Sequence, residues 1–212
     1  MSSVTIDELT IADEPATWAG LGFAVSGDVC CVGGVRIQLA GRTAGRGLVS
    51  WTLGGVASGD LDGLTTQHAE GPTAEGDPPS PHPNGIATLD HVVAITPVLD
   101  RTVQVLQAAG LDLRRIREEP TPAGAPRQAF FRLGPVILEV VQEPDEAIER
   151  AGGTDHPAFF WGLAFKVPDL DATVAHLGEH SSPARPAVQP GRRIATLRRS
   201  AGLAVPVALM TE

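Results

Sequence analysis

The chain has 212 residues, a net charge of −9 and a composition that is 42% hydrophobic and 19% charged, enough apolar material for one large or two small cores. The acidic balance excludes a general affinity for nucleic acid phosphates. No apolar run approaches the roughly 20 residues of a membrane-spanning helix. The N-terminus MSSVTIDELT is acidic rather than basic, which argues against a secretion signal and leads to an expected cytoplasmic location.

In chain order, the first element is a strand-like run around Ile6-Asp7-Glu8, which can be laid over Leu89-Asp90-His91 further on. Pro15 then falls near the position of Pro97, but only a short segment separates it from Gly20, so the helix that follows is cut to about one turn. Three short strand-like runs come next, DVCCVGG (28–34), VRIQLAG (35–41) and GLVSWTL (47–53). Residues 1–57 thus read as a degenerate, shortened module. Cys30 and Cys31 are adjacent and poorly placed to bridge each other, so two reduced thiols on opposite faces of one strand are expected. Residues 58–87 are dense in Gly, Pro, Asp and Thr without periodicity, and read as a linker or surface crossing.

The run Leu89-Asp90-His91-Val92-Val93-Ala94-Ile95 is β-type and leads straight into a helix start. Leu99, Val103 and Leu106 are spaced i, i+4, i+7 and form one helical stripe, with Asp100 in the acidic first turn. Runs LDLRRIRE (111–118), RQAFFRL (127–133) and PVILEVVQ (135–142) follow as three strands between Pro/Gly-rich turns. The order is βαβββ over residues 88–143. In the second run, Ala129 and Phe131 form the better helix-facing pair, which leaves Gln128, Phe130 and Arg132 for the opposite face. In the third, Glu139 interrupts Val136-Ile137-Leu138 and Val140-Val141. A carboxylate there is costly unless it meets a cation, a donor or a water-lined pocket.

A second copy of the unit runs over residues 158–212. FWGLAFKVPDLDATVAHL repeats the earlier strand and helix, with Pro168, Leu170, Asp171, Val174 and Leu177 matching Pro97, Leu99, Asp100, Val103 and Leu106 at one offset. ARPAVQP, RRIATLRR and LAVPVALM supply the three strands. Gly162 stands where His91 stands in the first copy. Arg185, Arg192, Arg193, Arg198 and Arg199 crowd this module, and of the adjacent pair Arg192 and Arg193 one must look inward or lie at the rim, unless both are solvated at a strand end. His68, His82, His156, His176 and His180 form no ligand spacing and read as surface histidines.

Tandem βαβββ repeats, with a histidine early in the first strand and a glutamate in the last, resemble the vicinal oxygen chelate superfamily of glyoxalases, bleomycin-resistance proteins and extradiol dioxygenases. The resemblance covers roughly residues 84–212. It implies an α+β fold in which paired modules form a cupped mixed sheet with helices on the outer face. It also implies metal ligands on the first and last strands of each module. His91 and Glu139 match those positions; the second module offers Gly162 and either Val207 or Ala208. Glu8 falls at the first-strand position of the N-terminal module, and a set of His91, Glu139 and Glu8 would hold a divalent metal (Zn, Ni, Mn or Fe) if the modules carrying them faced each other.

Two function classes stay open. One is a metal-assisted, glyoxalase-like lyase or isomerase, with Glu139 as its catalytic carboxylate and a cation stabilising an enediolate. The other is a metal-free protein of the bleomycin-resistance type that sequesters a small molecule. In either, the ligand is a small oxygen-rich or anionic molecule lined by Gln128, Phe130, Arg132, Arg192 and Arg193, with no nucleic acid or membrane partner and with a homodimer allowed. No nucleophile elbow, phosphate loop, paired-cysteine zinc motif or dinucleotide fingerprint is present.

Overall fold

The computed structural model describes residues 4–69, 81–121 and 124–211. Two mixed sheets carry the chain. The first has seven strands, β1 (Thr5–Ile11), β2 (Val25–Ser26), β3 (Val29–Val32), β4 (Val35–Leu39), β5 (Leu48–Gly54), β6 (Gly59–Leu61) and β7 (Leu64–His68), in the order β2-β3-β4-β1-β5-β7-β6. The second has eight strands, β8 (Thr88–Thr96), β9 (Asp112–Arg117), β10 (Gln128–Leu133), β11 (Val136–Gln142), β12 (Phe159–Lys166), β13 (Arg185–Pro186), β14 (Arg193–Thr196) and β15 (Val207–Met210). Their order is β13-β14-β15-β12-β8-β11-β10-β9.

The second sheet shows the repeat directly. Each module's first strand pairs in parallel with its own last strand, β8 with β11 and β12 with β15, and the two first strands pair antiparallel at the centre. The helices α2 (Leu99–Ala108) and α4 (Leu170–Leu177) make the connections; a short α3 (Asp145–Arg150) lies between the modules. α2 buries Leu99, Thr102, Val103 and Leu106, the stripe that the spacing predicts. α4 buries Leu170, Thr173 and Leu177, and its N-cap is Asp169, whose carboxylate accepts from the Ala172 amide at 2.9 Å. Strands β13 and β15 are shorter than the runs 184–190 and 203–210, which Pro186 and Pro206 interrupt, and β14 covers the middle of 192–199.

The first sheet repeats the plan in reduced form. β1 pairs in parallel with β4, and α1 (Pro15–Gly20) is a six-residue helix with proline at its start. Two expectations are corrected here. The run GLVSWTL becomes β5, which pairs antiparallel with β1 just as β12 pairs with β8, so it opens a further unit instead of closing the first. And residues 59–68, expected within a linker, form β6 and β7, with β7 parallel to β5. Leu61, Leu64 and Thr66 are buried there, and Thr66 Oγ1 accepts from the Trp51 indole at 2.7 Å, so a short alternation hidden among Gly and Asp was enough to make strands. The N-terminal sheet therefore holds one module with a shortened helix and a second with none.

The core lies between the sheets. Phe160 meets Trp51 edge-on at 5.1 Å between centroids, and Phe165 meets Phe23 and Trp18 at 5.8 and 6.4 Å. Asp13, completely buried, fastens the two halves: it accepts from the Trp18 indole at 3.1 Å and from the Ala204 amide at 3.0 Å, with Arg42 at 3.0 Å. His82, expected at the surface, is buried: its Nδ1 accepts from the Ala24 amide at 2.9 Å and its Nε2 donates to the Cys31 carbonyl at 3.1 Å. Among the described residues no helix is long and apolar enough to cross a membrane.

Candidate functional site

Because β8, β10 and β11 bury alternate residues against the core, their remaining side chains share the other, cupped face. Register sets the rows. His91 lies opposite Ile137, which lies opposite Arg132; Val93 lies opposite Glu139, which lies opposite Phe130. His91 and Glu139 are thus diagonal neighbours, with Nε2 and an Oε2 3.6 Å apart.

Asp90 joins them by an irregularity. Simple alternation would point it away from His91, but β8 carries one extra residue against β12: Ala164 pairs with His91 and Phe165 already with Leu89. The bulge brings Asp90 and His91 to one side, where His91 Nδ1 donates to Asp90 Oδ2 at 2.7 Å. The other oxygen, Oδ1, receives Arg192 Nη2 at 3.1 Å and Lys166 Nζ at 3.3 Å. Burial pushes the Asp90 carboxyl up, yet the bonds from His91 and Arg192 outweigh it and hold the group well below the usual carboxylate range. Glu139 goes the other way. Burial raises its proton affinity, only partly offset by His91 and by Gln128, whose Nε2 donates to Oε1. The Oε1 of Gln128, itself buried, has no hydrogen-bond partner among the described residues.

The remaining candidates divide. Phe130 is half-buried beside Glu139, and Arg132 is exposed on the same face. Arg192 turns inward, and besides Asp90 it donates to the Thr211 carbonyl at 2.9 Å and to Gln189 at 2.7 Å. Arg193 turns outward and forms a two-pronged pair with Asp171 on α4 at 2.7 and 2.9 Å. Glu8 lies on the other sheet, where it pairs with Arg36 at 2.6 Å across β1 and β4. The three-ligand set of Glu8, His91 and Glu139 is therefore not assembled, and no group of three or more His, Cys, Asp or Glu side chains among the described residues is placed to hold a metal. At the second module's first-strand position Gly162 offers no donor, and a side chain there would start 3.0 Å from the Pro206 carbonyl oxygen, tighter than an ordinary contact. Catalytic zinc usually takes three protein ligands. Among His, Cys, Asp and Glu side chains of the described residues, His91 and Glu139 are two at this place, one short of such a set. Carboxylates also stand behind metal-bound histidines, so the Asp90 bond is common to metal-binding and metal-free sites.

Asp90 and Lys166 escape a reading by alternation, since only the bulge turns Asp90 round; the adjacent Asp-His pair is the one signal that could have suggested it. Two other hollows, one lined by Gly55–Ser58 and His68 and a small one between Gly20, Leu21, His176, Leu177 and His180, gather no converging set of polar groups like this one.

The fold has a counterpart among solved structures. Over 99% of this chain it superposes, with a TM-score of 0.65 and 14% identity, on 49% of a xylose isomerase-like TIM barrel/4-hydroxyphenylpyruvate dioxygenase fusion protein, so the chain spans about half of that protein. A methylmalonyl-CoA epimerase from Mycobacterium tuberculosis matches 60% of this chain and 89% of its own, at 20% identity and a TM-score of 0.48. No family model matches the sequence. No curated protein matches it either.

Proposed function

We propose that the cup formed by residues 88–143 and 158–211 binds a small, oxygen-rich, anionic molecule and exchanges a proton with it at His91 and Glu139, without a resident metal. The N-terminal sheet serves as its support. The observation that carries this reading is the Asp90–His91 bond. It commits the proton on Nδ1 and leaves the basic Nε2 facing the cup beside Glu139. A base so oriented takes a proton from carbon next to a carbonyl. Glu139, with its raised proton affinity, donates to the oxygen that gains charge, and the proton then returns.

The test is deuterium wash-in. In D₂O, carbonyl compounds with enolisable C–H bonds are expected to exchange faster with the protein than without it, and the gain is expected to survive treatment with EDTA. Loss of the gain on chelation, with recovery on adding Zn²⁺ or Mn²⁺, would overturn the metal-free reading. Gly162 gives the second module no side chain for chemistry at its first-strand position, which favours a second reading, sequestration without turnover; saturable binding with no wash-in above the solution rate would decide for it.

A further inference from the structure

We propose that Arg115 and Arg132 form the anchor for a carboxylate on the molecule bound in this cup, so that the ligand class is a short carboxylic acid with a second oxygen function. The inference rests on the cup being the binding site.

Register puts the two arginines there. Arg115 faces Phe130 and Phe130 faces Glu139 in one row; Arg132 faces Ile137 and Ile137 faces His91 in the next. A bulge at Arg114 in β9 keeps Arg115 and Arg117 on the side of Phe130 and Gln128. Three guanidiniums are therefore neighbours on one face of two adjacent strands, in a chain whose net charge is −9. Like charges so placed repel unless an anion lies between them. The local acids are already engaged. Asp112, directly across from Arg132, pairs with Arg114 at 3.0 Å, and Glu119 takes Arg117 at 3.2 Å. Arg115 and Arg132 are exposed, and neither has an ion-pair partner among the described residues. Arg192 and Lys166, the other cations of the cup, are held by Asp90.

The spacing sets the size of the ligand. Two strand spacings, about 10 Å, separate the backbones of Arg132 and His91. An arginine side chain reaching inward, plus a short acid, spans that distance over Ile137. The forked guanidinium matches a carboxylate, and the half-buried Phe130 offers an apolar wall between the anchor and Glu139.

Acetoacetate and its neutral amide, acetoacetamide, distinguish the idea at fixed ionic strength by NMR titration. The acid is expected to bind at least tenfold more tightly than the amide. Arg132→Ala and Arg115→Ala are expected to weaken acetoacetate by about ten- to a hundredfold each and to leave the amide unchanged. Arg132→Lys is expected to recover only part of the loss, and Arg46→Ala, on the N-terminal half, to change nothing. Equal binding of acid and amide, unaltered affinity in both alanine variants, or no binding of either probe at millimolar concentration overturns the anchor. If acetoacetate binds through these arginines but gains no deuterium above the solution rate, the proton-transfer reading falls and the anchor stands.

Discussion

Asp90 and His91 are consecutive residues of one strand, yet their side chains meet at 2.7 Å because β8 bulges between them. Asp90→Asn keeps the shape but can accept from His91 only through its carbonyl oxygen, and it removes the charge that favours the Nδ1–H form. Deuterium wash-in is expected to fall by about a hundredfold, the usual size of a general acid–base contribution. Ligand affinity measured by titration is expected to change much less. Equal losses in both would mean that Asp90 only maintains the shape of the cup.

Elemental analysis of the purified protein is expected to find zinc, nickel, manganese and iron far below one per chain. Thermal unfolding should be insensitive to EDTA, since a ligand that binds only the folded state raises stability with concentration and its removal would lower it. A stoichiometric metal whose loss shifts the midpoint would refute the two-ligand argument made from His91, Glu139 and Gly162.

His82 links stability to pH. Burial lowers its pKa below the ordinary 6.5, the bond to the Cys31 carbonyl offsetting this only in part. Its Nδ1 must stay unprotonated to accept from Ala24. The unfolded chain therefore takes up a proton near pH 6.5 that the folded chain resists, and stability falls as pH drops below that value. Urea unfolding at pH 7.5, 6.5 and 5.5 is expected to show this loss, and His82→Asn, less stable at pH 7.5, is expected to lose less over the same interval. An unchanged slope in the variant would assign the acid sensitivity elsewhere.

Asp13 is the buried fastener between the halves. Asp13→Ala leaves the Trp18 indole and the Ala204 amide without their acceptor, at an expected cost of about 3 kcal/mol in denaturant unfolding. A cost below about 1 kcal/mol would mean that water replaces the carboxylate.

Cys30 and Cys31 should differ sharply towards a thiol reagent. Cys30 is fully buried and burial pushes its thiol up to about 12, whereas Cys31 is exposed. Native protein is expected to take one label at Cys31 and a second only in denaturant. Two rapid labels in the native state would mean that the β2-β3 edge opens readily.

Much of this was decided locally. The periodicity of Leu99, Val103 and Leu106, the β-type runs around His91 and Glu139, and the strict two-residue alternation that sets Ala129 and Phe131 inside and Gln128 and Phe130 opposite are properties of short segments, and they appear where the sequence puts them. What depends on partners was not visible. Whether GLVSWTL closes one unit or opens the next turns on whether β5 runs parallel or antiparallel to β1, and that is a property of the pairing which neither run shows alone. Glu8 has the right place in its own strand and the wrong sheet, so it meets Arg36 and never His91. Asp90 is the sharpest case: alternation turns it away from the cup, and only the extra residue against β12, a feature of strand pairing and not of either strand alone, turns it back.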